Sequence, residues 1–276
     1  MATYTTGFAE VNGTRLAYER AGEGHPLVLI HGVLVNRHLW DDQFDVFAQH
    51  YDVIRYDMRG FGDSGLIAHR TPPYSSRADL YHLLRFLQVE KAYVVGLSAG
   101  GALAIDFTIE HPEMVDALIP VASGLMGYDS GTDENLWPQI DSLLQQGRLD
   151  GAVELTLRHW TDGPERTPNQ VDARARERVR EMTTADYQLP NDPESFMPQP
   201  MQPPASKRLA EITVPTLVIY GDKDVKDVIE IAYVLKTEIK GAKSIVIPNT
   251  AHHLNLEQPA TFDQIVLDFL ASLPRN

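Results

Sequence analysis

Apolar residues along the chain follow two rhythms. Over the first 20 residues they alternate: Phe8, Val11, Leu16 and Tyr18 stand among polar positions, broken by Asn12-Gly13. An Asn-Gly pair between alternating segments predicts a hairpin, because both residues tolerate the positive φ of a tight turn. From residue 27 the rhythm changes. Residues 27–30 (LVLI) form a continuous apolar run, which suits a strand buried on both faces. Strands of the same kind are expected at 53–56, 93–95, 117–121, 214–220 and 243–247. Between them the spacing turns helical: over 38–49, over 76–87 with Leu80, Leu83, Leu84 and Leu87 on one side, over 100–110, and over 259–273.

Buried strands alternating with helices predict a parallel sheet, doubly wound, of about eight strands with helices on both faces. Right-handed crossovers then gather the loops after the strand C-termini along one edge, where functional residues are expected. The texture changes after Ser123. Residues 126–206 show no strand pattern. They carry helical spacing at 137–160, a charged helix at 171–182 that reads as a solvated face, and a Pro/Met-rich stretch at 190–204. The expected organisation is a core of 1–125 and 207–276, split by a helical insertion of 126–206.

Composition narrows the function. The 276 residues hold 24 Lys+Arg and 38 Asp+Glu, a net charge of −14, which argues against a nucleic-acid or anionic-membrane partner. Cysteine is absent, so disulfides, thiolate metal sites and a cysteine nucleophile are excluded. No run of 18 apolar residues suggests a membrane span, and the opening MATYTTGFAEVNG lacks the features of a signal peptide. The expectation is a cytoplasmic monomer or homodimer acting on a small molecule. No metal and no cofactor are expected.

Gly96-Leu97-Ser98-Ala99-Gly100 stands between a strand and a helix, the setting in which G-x-S-x-G forms a nucleophile elbow. The sharp turn exposes the serine hydroxyl, and small residues on either side avoid clashes. The helix N-terminus beneath Ser98 offers N–H donors and the positive end of a dipole. A serine nucleophile needs a base, and His252-His253 follow the strand at 243–247 on the correct edge of the sheet. An acid must orient that base; Asp222, Asp224 and Asp227 all follow the strand at 214–220. Gly60-Phe61-Gly62-Asp63-Ser64-Gly65 satisfies G-x-G-x-x-G, but two prolines follow where a dinucleotide fingerprint needs a helix.

Four motifs in order, HG-x at 31–33, RGFGDSG at 59–65, GLSAGG at 96–101 and AHHLNLEQP at 251–259, resemble the α/β-hydrolase family. The likeness is greatest to its small, cofactor-free esterase and lactonase branch, which includes enol-lactonases. The family pattern of His, then Glu five residues on and Pro seven on, fits His252, Glu257 and Pro259. The resemblance therefore implies His252 as base, with His253 in the pocket wall, and Asp224 as acid, three residues after Gly221. It also implies an oxyanion hole from the backbone N–H groups of Ala99 and Val33, with Leu34 as the alternative to Val33. His31 is expected to hold the loop through its ring.

The resemblance implies hydrolysis of a carboxylic ester or lactone through an acyl-enzyme on Ser98. C–C bond hydrolysis, perhydrolase or haloperoxidase-like activity on the same triad is the alternative, and an inactive ligand-binding relative the least expected. The insertion is expected to roof Ser98 as a lid. Leu34, Trp40, Met126, Tyr128, Trp137, Trp160 and His253 are the candidate pocket residues. Tyr74, Leu136, Phe196, Met197 and Met201 are further apolar candidates. Few cations are obvious candidates to hold a substrate carboxylate, and Arg158, Arg166 and Lys207 have no assigned place.

Overall fold

The computed structural model describes residues 4–66, 73–128, 135–190 and 198–274. Strands β1 (Tyr4–Val11) and β2 (Thr14–Ala21) form the expected hairpin, with Asn12 at φ 47° and Gly13 at φ 70°. The chain then alternates. β3 (Pro26–Ile30) leads through a 3₁₀ turn at Arg37–Trp40 to α1 (Asp41–Phe47) and β4 (Asp52–Tyr56). α2 (Ser76–Phe86), β5 (Ala92–Leu97), α3 (Ala99–Glu110) and β6 (Val115–Val121) follow. After a helical segment, β7 (Leu217–Gly221), α7 (Lys226–Glu238), β8 (Lys243–Ile247), α8 (Leu254–Glu257) and α9 (Pro259–Ala271) close the chain.

One eight-stranded sheet results, in the order β1-β2-β4-β3-β5-β6-β7-β8. Strand pairs from β4 onward across the sheet are parallel, while β1/β2 and β2/β4 are antiparallel. The fold is therefore the mostly parallel, doubly wound sheet that the pattern predicts. The apolar runs explain it. In β3, Val28 and Ile30 join the core on one face and Leu27 and Leu29 the core on the other. All four are fully buried, as a period-2 element between two helix layers requires.

Strand β7 begins at Leu217 rather than at Val214. Pro215 has no N–H for the ladder, so only its carbonyl is used, accepting from Leu118 N at 3.0 Å. Between β6 and β7 the described residues hold α4 (Leu136–Gln145), α5 (Leu149–Thr156), a π-helical turn at Leu157–Thr161 and α6 (Ala173–Tyr187), and no strand. Phe196 and Met197 lie outside the described residues.

The arginines of α6 are not simply solvated. Arg176 donates to Asp162 Oδ1 at 2.8 Å and Glu154 Oε1 at 2.7 Å, and Arg178 to Asp42 Oδ2 at 2.7 Å. The charged face thus docks the helix onto α1 and onto the turn after α5. Among the described residues no helix is long and apolar enough to cross a membrane.

Candidate active site

Ser98 sits between β5 and α3 with φ 58° and ψ −118°, a strained conformation for a residue with a side chain. The surroundings dictate it. A Cβ on Gly96 would come 2.1 Å from the Gly100 carbonyl oxygen, and one on Gly100 2.4 Å from that of His31. Only glycine permits so tight a reversal. Ser98 N donates to Val121 O at 2.9 Å, and Ser98 O accepts from Ala102 N and Gly124 N, both at 3.0 Å. The serine is thereby anchored to β6 and to its own helix while its side chain stays free of the backbone ladder.

His252, which lines one small cavity together with Ser98, meets Asp224. His252 Nδ1 lies 2.9 Å from Asp224 Oδ2, both side chains almost fully buried. The other carboxylate oxygen of Asp224 accepts from Val225 N at 2.8 Å, so each oxygen has a partner. Asp222 is used elsewhere: its Oδ1 accepts from Asn249 N at 2.6 Å and braces the loop before His252. Asp227 lies in the first turn of α7. Of the three acids after β7, the structure brings Asp224 to the imidazole.

The His252 loop is clamped from two directions. His252 N donates to Trp160 O at 3.3 Å, and the Trp160 ring packs against the imidazole with centroids 4.6 Å apart. The π-helical turn, closed by Asp162 N to Leu157 O, disturbs the regular ladder where that carbonyl is needed. Glu257 Oε1 accepts from Ala251 N at 2.8 Å. This contact gives the five-residue spacing of His252 and Glu257 a physical meaning: the glutamate holds the loop, not the substrate. His253 Nδ1 faces the Thr161 hydroxyl at 3.1 Å, and burial, then the neighbouring His252, push its pKa well down, keeping it neutral.

The loop after β3 closes on the elbow. A Cβ on Gly32 would meet Ser98 Cβ at 3.0 Å, so the backbone at 32–34 approaches the serine closely. Leu34 has φ 61°, and its carbonyl accepts from the Thr183 hydroxyl of α6 at 3.2 Å. His31 is structural in its contacts. Nδ1 faces its neighbour's carbonyl, Gly32 O, at 2.6 Å, and Nε2 accepts from Met58 N at 2.9 Å. Burial lowers its pKa and favours the neutral tautomer these bonds require. In the G-x-G-x-x-G segment Gly62 has φ 51° and packs against the Asp57 carboxylate, with no helix opening before Ser76 among the described residues.

Two cavities share Val33, Ser98 and Trp160 in their walls. One, of about 20 Å³, is lined also by Leu34, Thr156, Thr183, His252 and His253. The other, of about 430 Å³, is lined by Ala99, Met126, Trp137, Tyr74 and residues of α3. Met126 and Trp137 remain more than a third exposed while lining it. Trp40 and Tyr128 lie in neither cavity, which corrects the expectation for both. Trp40 is fully buried and packs near Phe262 of α9 with ring centroids 6.0 Å apart. Tyr128 turns its hydroxyl to Glu230 of α7 at 3.2 Å. Leu136 and Met201 are buried in core clusters.

Sequence reasoning missed Phe61, Met58, Arg59, Arg77 and Asp106, which also line the larger cavity. A signal existed for Asp106. Ala99, Ala102, Leu103 and Asp106 recur at intervals of three and four, which puts them on one face of α3 headed by Ser98. None of the three unplaced cations, Arg158, Arg166 and Lys207, lines either cavity. Arg166 is bound to Glu257, Arg158 to Asp162, and Lys207 is exposed. Arg59 is bound bidentately by Asp79, and Arg77 pairs with Glu110.

A strained serine at a strand-to-helix turn, with a His–Asp pair from later loops on the same sheet edge, is the arrangement of a hydrolase. The chain belongs to the α/β-hydrolase fold family, whose model matches residues 25–259. Among curated relatives it is 27% identical to a 2-hydroxy-6-oxo-6-(2'-aminophenyl)hexa-2,4-dienoic acid hydrolase of Metapseudomonas resinovorans, over 98% of this chain and 92% of the relative. It is also 27% identical to an (E)-2-((N-methylformamido)methylene)succinate hydrolase of Acinetobacter baylyi, over 95% of this chain and 97% of the relative. A solved N-acyl homoserine lactone degrading enzyme superposes with a TM-score of 0.75 at 26% identity, over 95% of this chain and 100% of that one.

Proposed function

We propose that the protein hydrolyses carboxylic esters or lactones through an acyl-enzyme on Ser98, without a cofactor. Ser98 Oγ attacks the carbonyl while His252 Nε2 takes its proton. Asp224, bonded to Nδ1, holds the tautomer and stabilises the imidazolium. The backbone N–H groups of Ala99 and Val33 receive the oxyanion. His252 then returns the proton to the leaving alcohol, and a water deprotonated by His252 releases the acid. The segment between β6 and β7 serves as a lid, with Trp160, Met126 and Trp137 as its contribution to the pocket. Esterase and lactonase activity fits the enol-lactonase-like motifs.

The buried Asp224–His252 contact, with His252 and the strained Ser98 in the wall of one cavity, carries this reading. The two curated relatives act on carboxylates by their names, one of them a dienoic acid. In this chain each described arginine in a cavity wall already faces an acid, which favours neutral esters and lactones over dienoate C–C substrates. A fluorophosphonate probe should label Ser98, and Ser98→Ala should not react. In a panel of methyl esters, lactones and dienoate diketones, esters or lactones should show the highest kcat/KM. Turnover confined to the diketones would overturn the ester reading and keep the triad.

A further inference from the structure

Helix α3 is buried over Gly100–Ile109, and only two of those residues are polar. Thr108 satisfies its hydroxyl on Ala104 O at 2.7 Å. Asp106 is different. It is 4% exposed, and its Oδ1 is buried without any hydrogen-bond partner. Its Oδ2 lies 3.6 Å from Arg77 Nη1, too far for a hydrogen bond. A buried acceptor with no donor is costly, and natural structures rarely keep one without use.

The position gives the use. Asp106 is in the wall of the larger cavity, on the same helical face as Ala99, Ala102 and Leu103. Eight residues separate it from Ser98, a rise of about 12 Å along the helix. Much of the cavity wall is apolar, with Met58, Phe61, Leu103 and Leu125 among its residues. The charged groups around Asp106 are Arg77, Glu110 and Arg208. Arg77 is bound by Glu110 and Arg208 by Glu211, so neither neutralises it fully. Burial pushes its carboxyl up to about 6, which leaves it mostly ionised at neutral pH, an acceptor with no proton to give.

We propose that Asp106 determines substrate specificity by accepting a hydrogen bond from a hydroxyl at the far end of an acyl chain seated in this cavity. The apolar wall holds the chain, and the span of about 12 Å corresponds to roughly nine bonds of an extended zigzag chain, which advances ~1.3 Å for each ~1.5 Å bond. A methyl end gives the Asp106 carboxylate no donor, and a carboxylate end meets a like charge. The inference rests on the proposed ester hydrolysis at Ser98.

The test uses methyl esters of unbranched C8–C10 acids ending in methyl, hydroxyl or carboxylate, with methyl acetate as the short substrate. Fluorophosphonate titration counts active sites, so the readout is the ratio of kcat/KM between chain ends within one protein. The wild type should prefer the hydroxyl over the methyl end by on the order of 10-fold, and reject the carboxylate. Asp106→Leu should bring the hydroxyl-to-methyl ratio to about 1 or below. Asp106→Asn should keep an acceptor, retain part of the hydroxyl preference and relax the rejection of the carboxylate. An equal rate on both ends in the wild type, or an unchanged ratio in Asp106→Leu, overturns the inference. Failure to hydrolyse methyl acetate as well as every longer ester instead overturns the ester reading beneath it.

Discussion

The guanidinium of Arg166 grips the carboxylate of Glu257 through two hydrogen bonds, Nη1 to Oε2 at 2.6 Å and Nη2 to Oε1 at 3.1 Å. Both side chains are buried. The same arginine also donates to Asn249 O, Thr161 O and Asp162 O, and the same glutamate accepts from Ala251 N. A residue from the β6–β7 segment is thereby locked to the loop that carries His252.

This pair predicts a stability loss coupled to an activity loss. Arg166→Leu strands a buried carboxylate, and breaking such a pair from one side costs about 3–5 kcal/mol. The melting temperature should fall by several degrees, and kcat should fall because the His252 loop loses its brace. The double variant Arg166→Leu/Glu257→Leu should recover part of the stability, since no charge is left unpaired, but not the activity, since Ala251 N then loses its acceptor as well. Thermal denaturation and ester kinetics on the two variants check both halves.

Ser98 and two of the acids after β7 offer a sharper test of roles. Ser98→Ala should lower kcat by on the order of 10⁶, as removing a triad nucleophile does. Asp224→Asn keeps the shape but places the wrong hydrogen-bonding group against Nδ1, and should lower kcat by about 10⁴. Asp222→Asn leaves an oxygen for Asn249 N and should stay within about tenfold of the wild type. If Asp222→Asn were the more damaging of the two, Asp224 would lose its assigned role.

Much of this architecture was legible because its causes are local. Strands buried on both faces announce themselves as apolar runs, as at 27–30, and the elbow needs glycines at fixed places, as at Gly96 and Gly100. What was not legible depends on partners distant in sequence. Nothing in 171–182 says that Arg178 will find Asp42, 136 positions away. Trp40 reads as well for a pocket as for the core. Its burial near Phe262 is settled by how α9 returns to α1, and sequence spacing does not encode that. Asp106 had the right period, but a carboxylate among apolar residues reads as a solvated position until the helix is seen to be buried on all sides.

Buried carboxylates make stability depend on pH in a direction that can be worked out. Burial pushes Asp263 of α9 up to about 6, with Asp42 adding to the shift and a hydrogen bond from Gln43 opposing it. Unfolded, an aspartate titrates near ~3.9. The folded chain therefore binds this proton more tightly, so the contribution is present in full below about pH 4 and is lost as pH rises through about 6. Asp263→Asn removes that loss while leaving an oxygen for the Gln43 amide. It should gain about 1–2 kcal/mol at pH 8 relative to the wild type and little at pH 4. Melting temperatures of both proteins at the two values test the sign. An equal shift at both would remove titration of Asp263 as the cause.

On the proposed ester hydrolysis, Trp160 is expected to set the size of group on each side of the reacting carbonyl. It stands in the walls of both cavities, packs against the His252 ring and holds the His252 N–H on its carbonyl. The smaller cavity, about 20 Å³, has room for little more than one water-sized group. With the acyl chain in the larger cavity, small leaving alcohols are favoured, so methyl esters should be hydrolysed with higher kcat/KM than butyl or benzyl esters of the same acid. Trp160→Ala opens the shared wall and should reverse that order while lowering kcat on the methyl ester, because the imidazole loses its packing partner. Trp160→Phe keeps a ring against His252 and the same backbone carbonyl, and should preserve most of the kcat and part of the preference. Should Trp160→Ala leave the alcohol preference where it was, the leaving group must exit by another side, and the smaller cavity would then be the site of the attacking water.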